Sequence, residues 1–196
     1  MPLLDALVEW NHQAVTAEGA HPLDLDPFAE SLPLIALTCI DPRLNAFFPK
    51  VIGLRDEQFI WLRNAGNVIT GPASSTMRSL ALACAVKGGR EIAIIGHTDC
   101  GVRKIGMAEL TDRFRALGIP REKLPDDLVG YFGMFASERQ NVMTAVEFAR
   151  QSPLIGPRIP VHGLLFDVAN GRLEWVVNGY NATPPPMSPP PLPTPV

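Results

Sequence analysis

Hydrophobic positions along this chain follow two periods. Leu34-Ile35-Ala36-Leu37, Phe59-Ile60-Trp61-Leu62 and Ile92-Ala93-Ile94-Ile95 are short, nearly continuous apolar runs rich in branched and aromatic side chains. Runs of this kind predict strands covered on both faces, here over about residues 34–39, 58–63 and 91–96. Helical spacing separates them. Leu4, Leu7, Val8 and Val15 can share one face of a helix over residues 3–17, and residues 74–87 predict a second, with Ser74 as its cap and Gly88-Gly89 as its stop. Residues 19–33 read as irregular, and 46–54 as a loop or short helix broken by Pro49 and Gly53. Residues 101–149 predict mostly helix, interrupted at Gly118-Ile119-Pro120 and at Pro125. Two last strands, about 161–168 and 172–177, flank Ala169-Asn170-Gly171, a hairpin signal. Strand–helix alternation followed by a hairpin predicts an α/β fold: a mostly parallel sheet with an antiparallel edge strand, flanked by helices.

The pattern stops near residue 181. We expect one domain over residues 1–181, its first helix forming an N-terminal arm, and a proline-rich tail over 182–196. Eight of residues 184–196 are proline, which excludes helix and central strand and favours an extended polyproline conformation. The tail reads as a solvated extension; the alternative is a docking segment for a protein partner or an encapsulating shell. Composition narrows the classes further. With 46% hydrophobic and 19% charged residues the chain is globular, and a formal charge of -3 gives no sign of nucleic acid as partner. No apolar run approaches the roughly 20 residues of a membrane span. Met1-Pro2-Leu3-Leu4-Asp5 lacks a signal-peptide pattern. Three cysteines, an odd number, argue against a disulfide framework and for a reducing cytoplasm, with a protein microcompartment as the narrower alternative.

Two clusters carry the chemistry: Cys39-Ile40-Asp41-Pro42-Arg43 and His97-Thr98-Asp99-Cys100-Gly101. Each follows a predicted strand, and in open parallel sheets ligands bind outside the carboxyl ends of strands. Cys39, His97 and Cys100 together offer two sulfurs and one nitrogen. Three such ligands leave one tetrahedral zinc position open, the arrangement of a catalytic site that activates water. Two thiolates and a neutral imidazole cancel the charge of Zn²⁺, so activity is expected to rise with pH through a midpoint above neutral. Arg63-Asn64-Ala65-Gly66-Asn67 ends the middle strand and should reach the same edge. Asp99 is expected to fix its loop, Gly101 to allow close backbone approach, and Arg63 to serve structure and interface. Isolated histidines are more often structural: His12, His21 and His162 are read as structural or exposed, His162 alternating outwards along its strand. Cys84 is read as a buried helix residue.

Cys-x-Asp-x-Arg, Arg-Asn-Ala-Gly-Asn and His-x-x-Cys-Gly, in that order, resemble the β-class carbonic anhydrases. The resemblance runs over about residues 30–180 and includes Glu138-Arg139-Gln140-Asn141-Val142, similar to the family's late helix. It implies a zinc enzyme for reversible hydration of carbon dioxide to bicarbonate and a proton. Cys39, His97 and Cys100 would hold the metal. Asp41 and Arg43 would be catalytic, the carboxylate orienting the attacking water and the guanidinium clamping it. The resemblance also implies a homodimer or larger assembly in which the early helix docks on a partner subunit. Val102-Arg103 replaces a small residue, and Ala36 stands where the branch with an allosteric bicarbonate pocket carries Trp. Thr76-Met77-Arg78-Ser79-Leu80 is closer to a divergent branch that includes carbonyl sulfide hydrolases, and carbon disulfide hydrolases share the wider fold. Hydrolysis of those linear substrates, or a non-catalytic zinc scaffold, are the alternatives.

Overall fold

In the computed structural model, residues 1–16 and 21–181 are described; the proline-rich tail lies outside them. The elements run α1 (Leu3–Ala14), β1 (Leu34–Cys39), β2 (Phe59–Asn64), α2 (Ser75–Ala85), β3 (Glu91–His97), α3 (Gly101–Lys104), α4 (Met107–Ala116), α5 (Leu128–Phe132), α6 (Glu138–Gln151), β4 (Val161–Phe166) and β5 (Leu173–Val177). Short 3₁₀ turns link several of them. The strands form one sheet in the order β2-β1-β3-β4-β5. β1 pairs in parallel with β2 and β3, β3 in parallel with β4, and β4 antiparallel with β5. The fold is thus the α/β arrangement expected.

Burial explains the apolar runs. Every residue of β1 and of β3 is buried, because the sheet is covered on both sides. Alternate residues face opposite ways along a strand. Leu34, Ala36, Ala93, Ile95, Leu164 and Phe166 join Leu3, Leu4, Leu7 and Phe48 in one cluster. Ile35, Leu37, Ile92 and Ile94 join Met77, Leu80, Val142 and Val146 of α2 and α6 in the other. Each large side chain taken fully out of water contributes about 1.5–3 kcal/mol. α6 lies very close to the sheet. A Cβ on Gly96 or Gly163 would fall 2.6 or 2.7 Å from a methyl of Val142.

Three expectations change here. α1 ends at Ala14, not 17, and its apolar face is not left for a partner. Leu3, Leu4, Leu7 and Val8 are at most 3% exposed within this one chain. Buried Asn11 staples the helix down: its Nδ2 donates to the carbonyls of Val51 at 2.8 Å and Gly171 at 2.9 Å, and its Oδ1 accepts from Leu173 N–H at 2.8 Å. Cys84, expected to be buried, is half-buried, packed against the edge of the second cluster.

The chain passes from β1 outwards to β2 and then returns to the other side of β1 as β3. The carboxyl ends of β1 and β3 are therefore a topological switch point, where a crevice opens in sheets of this kind. Cys39 and His97 are the last residues of those two strands.

Candidate metal centre

The turn after β1 is set by its own sequence. Asp41 caps a 3₁₀ turn over Pro42–Ala46, its Oδ1 accepting from Arg43 N–H at 3.0 Å, with proline at the first helical position. Arg63, on the neighbouring strand, holds the turn from outside. Its Nε donates to Cys39 O at 3.0 Å, one terminal nitrogen donates to Asp41 O at 2.8 Å, and the other meets Asn45 Oδ1. The expectation of a structural role for Arg63 agrees with this placement. After β3, Asp99 adopts φ 62°, a left-handed conformation that Asp tolerates better than most residues. The reversal carries Cys100 back towards His97. Gly101 is not a close-approach glycine: a Cβ there would meet nothing within 4 Å, contrary to expectation.

These turns bring Cys39, His97 and Cys100 together with their ligand atoms all within 4.8 Å of one another. All three are at most 3% exposed. His97 Nδ1 lies 2.9 Å from Thr98 O. A carbonyl only accepts, so Nδ1 carries the proton and Nε2 presents a bare lone pair. That Nε2 is buried with no hydrogen-bond partner, a costly state unless a cation occupies it. The sulfurs tell the same story. Cys100 hydrogen-bonds Cys39 and, against the penalty of burial, holds it far below the ordinary thiol range, to about 4; His97 and the Gly66 N–H assist. Cys100 is correspondingly pushed up by that bond and by burial. A thiolate stabilised beside a thiol is a donor pair that a divalent cation could take by displacing the remaining proton. Burial alone would depress His97, but the adjacent Cys39 sulfur, Thr98 carbonyl and Asp41 outweigh it and raise it. The donor set fits a tetrahedral zinc ion with one position free.

Asp41 stands beside this set without joining it. Its Oδ2 is 3.9 Å from His97 Nε2. Arg43 grips the carboxylate with both arms, Nε to Oδ1 at 3.0 Å and a terminal nitrogen to Oδ2 at 2.7 Å. That pair holds the Asp41 carboxyl down to about 2, so it remains an ionised acceptor. Arg43 also reaches across to Asp99, donating to its Oδ2 at 2.9 Å and its carbonyl at 3.0 Å. One guanidinium thus ties the two ligand-bearing turns together, a role the sequence did not suggest. Lys104 pairs with the other Asp99 oxygen. An apolar wall lies alongside: Phe135, Val102 and Val68 crowd round Gly66. Among the remaining histidines, His12 Nε2 meets Leu173 O at 2.6 Å. His162 is wholly buried, not turned outwards, because both faces of β4 are covered.

Comparison with known proteins agrees with this geometry. The carbonic anhydrase family profile matches residues 34–119. YtiB of Bacillus subtilis, whose own assignment as a carbonic anhydrase is provisional, is 32% identical over 92% of this chain and all of its own length. The carbon disulfide hydrolase of Acidithiobacillus thiooxidans is 30% identical over 69% of this chain and 73% of its own. The crystal structure of β-carbonic anhydrase isoform I from Trichomonas vaginalis superposes with a TM-score of 0.72 at 29% identity, covering 92% of this chain and all of that one. The chain belongs to the β-carbonic anhydrase family.

Proposed function

We propose that this protein catalyses the reversible hydration of carbon dioxide to bicarbonate and a proton, with one zinc ion held by Cys39, His97 and Cys100. The observation that carries the reading is Asp41, clamped by Arg43 and standing beside the three-residue set with its Oδ2 3.9 Å from His97 Nε2. Zinc in this site would supply Lewis acidity that makes water a nucleophile near neutral pH. The chain's residues supply the rest. Ionised Asp41 can only accept hydrogen bonds, so it fixes the proton of the attacking water and directs a lone pair away from itself. Arg43 keeps Asp41 charged and keeps it back from the ligand set. The wall of Phe135, Val102 and Val68 offers a small apolar substrate a surface without competing hydrogen bonds.

A second reading, hydrolysis of carbonyl sulfide or carbon disulfide, is favoured by one observation: a relative named as a carbon disulfide hydrolase matches at 30% identity. Those substrates have the same linear shape and electrophilic carbon. The deciding experiment assays carbon dioxide hydration and sulfide release in parallel on protein of known zinc content, with Arg43→Ala beside it. Arg43→Ala should lower hydration about 10²-fold, the usual weight of a positioned acid–base group. It should leave most of the zinc content in place and cost about 1 kcal/mol of stability, since the Arg43 ion pairs are partly open to solvent, its side chain being 43% exposed. Fast sulfide release with background hydration would move the assignment to the second reading. A zinc-loaded protein inactive in both assays would leave only a scaffold.

Homo-oligomerisation remains part of the proposal, on different ground from the covered face of α1. Ile40, between Cys39 and Asp41, is 57% exposed, a surface that a second chain would cover. The three free cysteines support a reducing, cytoplasmic setting. Among the described residues no helix is long and apolar enough to cross a membrane.

A further inference from the structure

Two side chains on the first turn of α6 reach the loops around the candidate metal ligands. Glu138 Oε1 accepts from Cys100 N–H at 3.4 Å and pairs with Arg103. One turn on, Asn141 Nδ2 donates to Gly66 O at 2.8 Å. Gly66 in turn donates its own N–H to Cys39 Sγ at 3.3 Å. Its φ is 75°, and a Cβ there would lie 2.8 Å from the Phe135 ring. Gly66 is therefore held on both sides, by a sulfur at its nitrogen and by Asn141 at its oxygen.

We infer that Asn141 is a positioning residue of the metal centre, acting through Gly66 on the sulfur of Cys39. This rests on the reading that Cys39, His97 and Cys100 hold zinc. The argument has two parts. First, Asn141 cannot drift. Val142, the next residue, is locked against Gly96 of β3 and Gly163 of β4, so the carboxamide is placed by the core. Second, Asn141 does not make the loop. Asn64 already closes residues 64–68, donating to Val68 O at 2.7 Å and Thr76 Oγ1 at 2.9 Å and accepting from Val68 N–H at 2.9 Å. What Asn141 adds is orientation: it pins the peptide that follows Gly66, while the Cys39 sulfur meets the N–H of the peptide that precedes it, so the two bonds together restrict the φ and ψ of Gly66 through which that N–H is aimed. A donor on a thiolate withdraws charge from it and limits its direction of approach to a metal, so its aim bears on affinity and on the metal's electronic environment.

The test compares wild type, Asn141→Leu, Asn141→Asp, Asn141→Gln, Arg139→Ala and Cys39→Ser. Zinc dissociation constants come from chelator competition. The thiolate-to-metal charge-transfer band is read after cobalt(II) substitution. Asn141→Leu and Asn141→Asp both lack the donor, and the second keeps the shape should the first fail to fold. Each should weaken zinc about 10–100-fold and shift the band, and Asn141→Gln should recover part of both. Arg139→Ala loses only a bond to Trp175 O, and should leave both readings at wild-type values. Unchanged affinity and band in the folded Asn141 variants, with only apo stability lowered, would make Asn141 a structural residue and overturn the inference. If Cys39→Ser also keeps wild-type affinity and band, the metal-centre reading itself has failed. If Cys39→Ser loses them while the Asn141 variants do not, only the inference has failed.

Discussion

The sheet buries a histidine near each end of its same face, on neighbouring strands, and the two are wired oppositely. At the carboxyl end, His97 Nδ1 donates to a carbonyl and Nε2 is left as a lone pair beside two sulfurs. At the amino end, His162 Nδ1 accepts from Gly179 N–H at 3.0 Å. A backbone N–H only donates, so the His162 proton sits on Nε2, which faces Glu91 Oε2 at 3.7 Å. Tyr180 completes that group, its hydroxyl donating to Glu91. One end holds lone pairs that a cation could take; the other holds a proton directed at a carboxylate but too far from it to hydrogen-bond. Residue type does not separate a ligand from a structural histidine. The partner of the other ring nitrogen does.

Exchanging each histidine for glutamine breaks the comparison most severely. His97→Gln should cost more zinc affinity than the roughly 10–100-fold assigned to outer hydrogen-bond partners, with the apo fold retained. His162→Gln should leave zinc affinity unchanged and lower stability by about 1–3 kcal/mol, because it disturbs a buried hydrogen-bonded group. Chelator competition and urea titration on both variants read the two effects separately. Zinc loss in His162→Gln would mean that the two ends are coupled through β3 and β4.

Acid separates the ends next. Burial depresses His162 from 6.5 to about 3, with the charge of Arg150 adding to it. Burial also raises Glu91, opposed by hydrogen bonds from Tyr180 and Ser31, with Asp5 adding to the rise. As pH falls Glu91 takes its proton first, so His162 has no anion beside it when it would charge. Between pH 6.5 and about 3 the unfolded chain binds the His162 proton and the folded chain does not. Stability from this residue is therefore full above pH 6.5 and lost as pH falls through that window. The slope should approach about 1.4 kcal/mol per pH unit. Urea titrations of the apo protein across the window should show this acid limb flattened in His162→Gln. An unchanged limb would show that His162 is not the group responsible.

The ease of reading differed between the two ends for a physical reason. The Cys39–His97–Cys100 cluster was legible because its chemistry is local: Cys39 and His97 each end an unbroken apolar run, and the run itself marks a strand covered on both faces. Strand β1 falls on residues 34–39 as predicted, and the hairpin appears where Asn170-Gly171 indicates. The amino-end cluster was not legible, because Glu91, His162 and Tyr180 are far apart in sequence and share no spacing. His162 was expected to alternate outwards, a rule that holds only when one face of a strand meets water. The outer supports of the ligand cluster, Glu138 and Asn141, were visible only as part of a family-like segment. Their reach to Cys100 and Gly66 follows from how α6 packs, which no local pattern encodes.

The smallest effect sharpens the comparison at its amino end. Leu4 N–H, in the first turn of α1, donates to Tyr180 Oη at 3.0 Å. Pro2, the preceding cap residue, makes no side-chain cap, so Tyr180 serves as a cap supplied from the far end of the domain. Losing a cap costs about 1 kcal/mol, and Tyr180→Phe should lower stability by about that much at pH 5. The cost should grow with pH, and the sign follows from Glu91. Its folded pKa is raised above 4.5, so its contribution is best while it is protonated and is lost as pH rises through the raised value. The Tyr180 hydroxyl limits that loss by donating to the charged carboxylate, and phenylalanine cannot. Tyr180→Phe should therefore be more destabilising at pH 8 than at pH 5, with zinc affinity unchanged at both. Urea titrations at the two pH values measure it. An equal cost at both would reduce Tyr180 to a helix cap and remove Glu91 from the account.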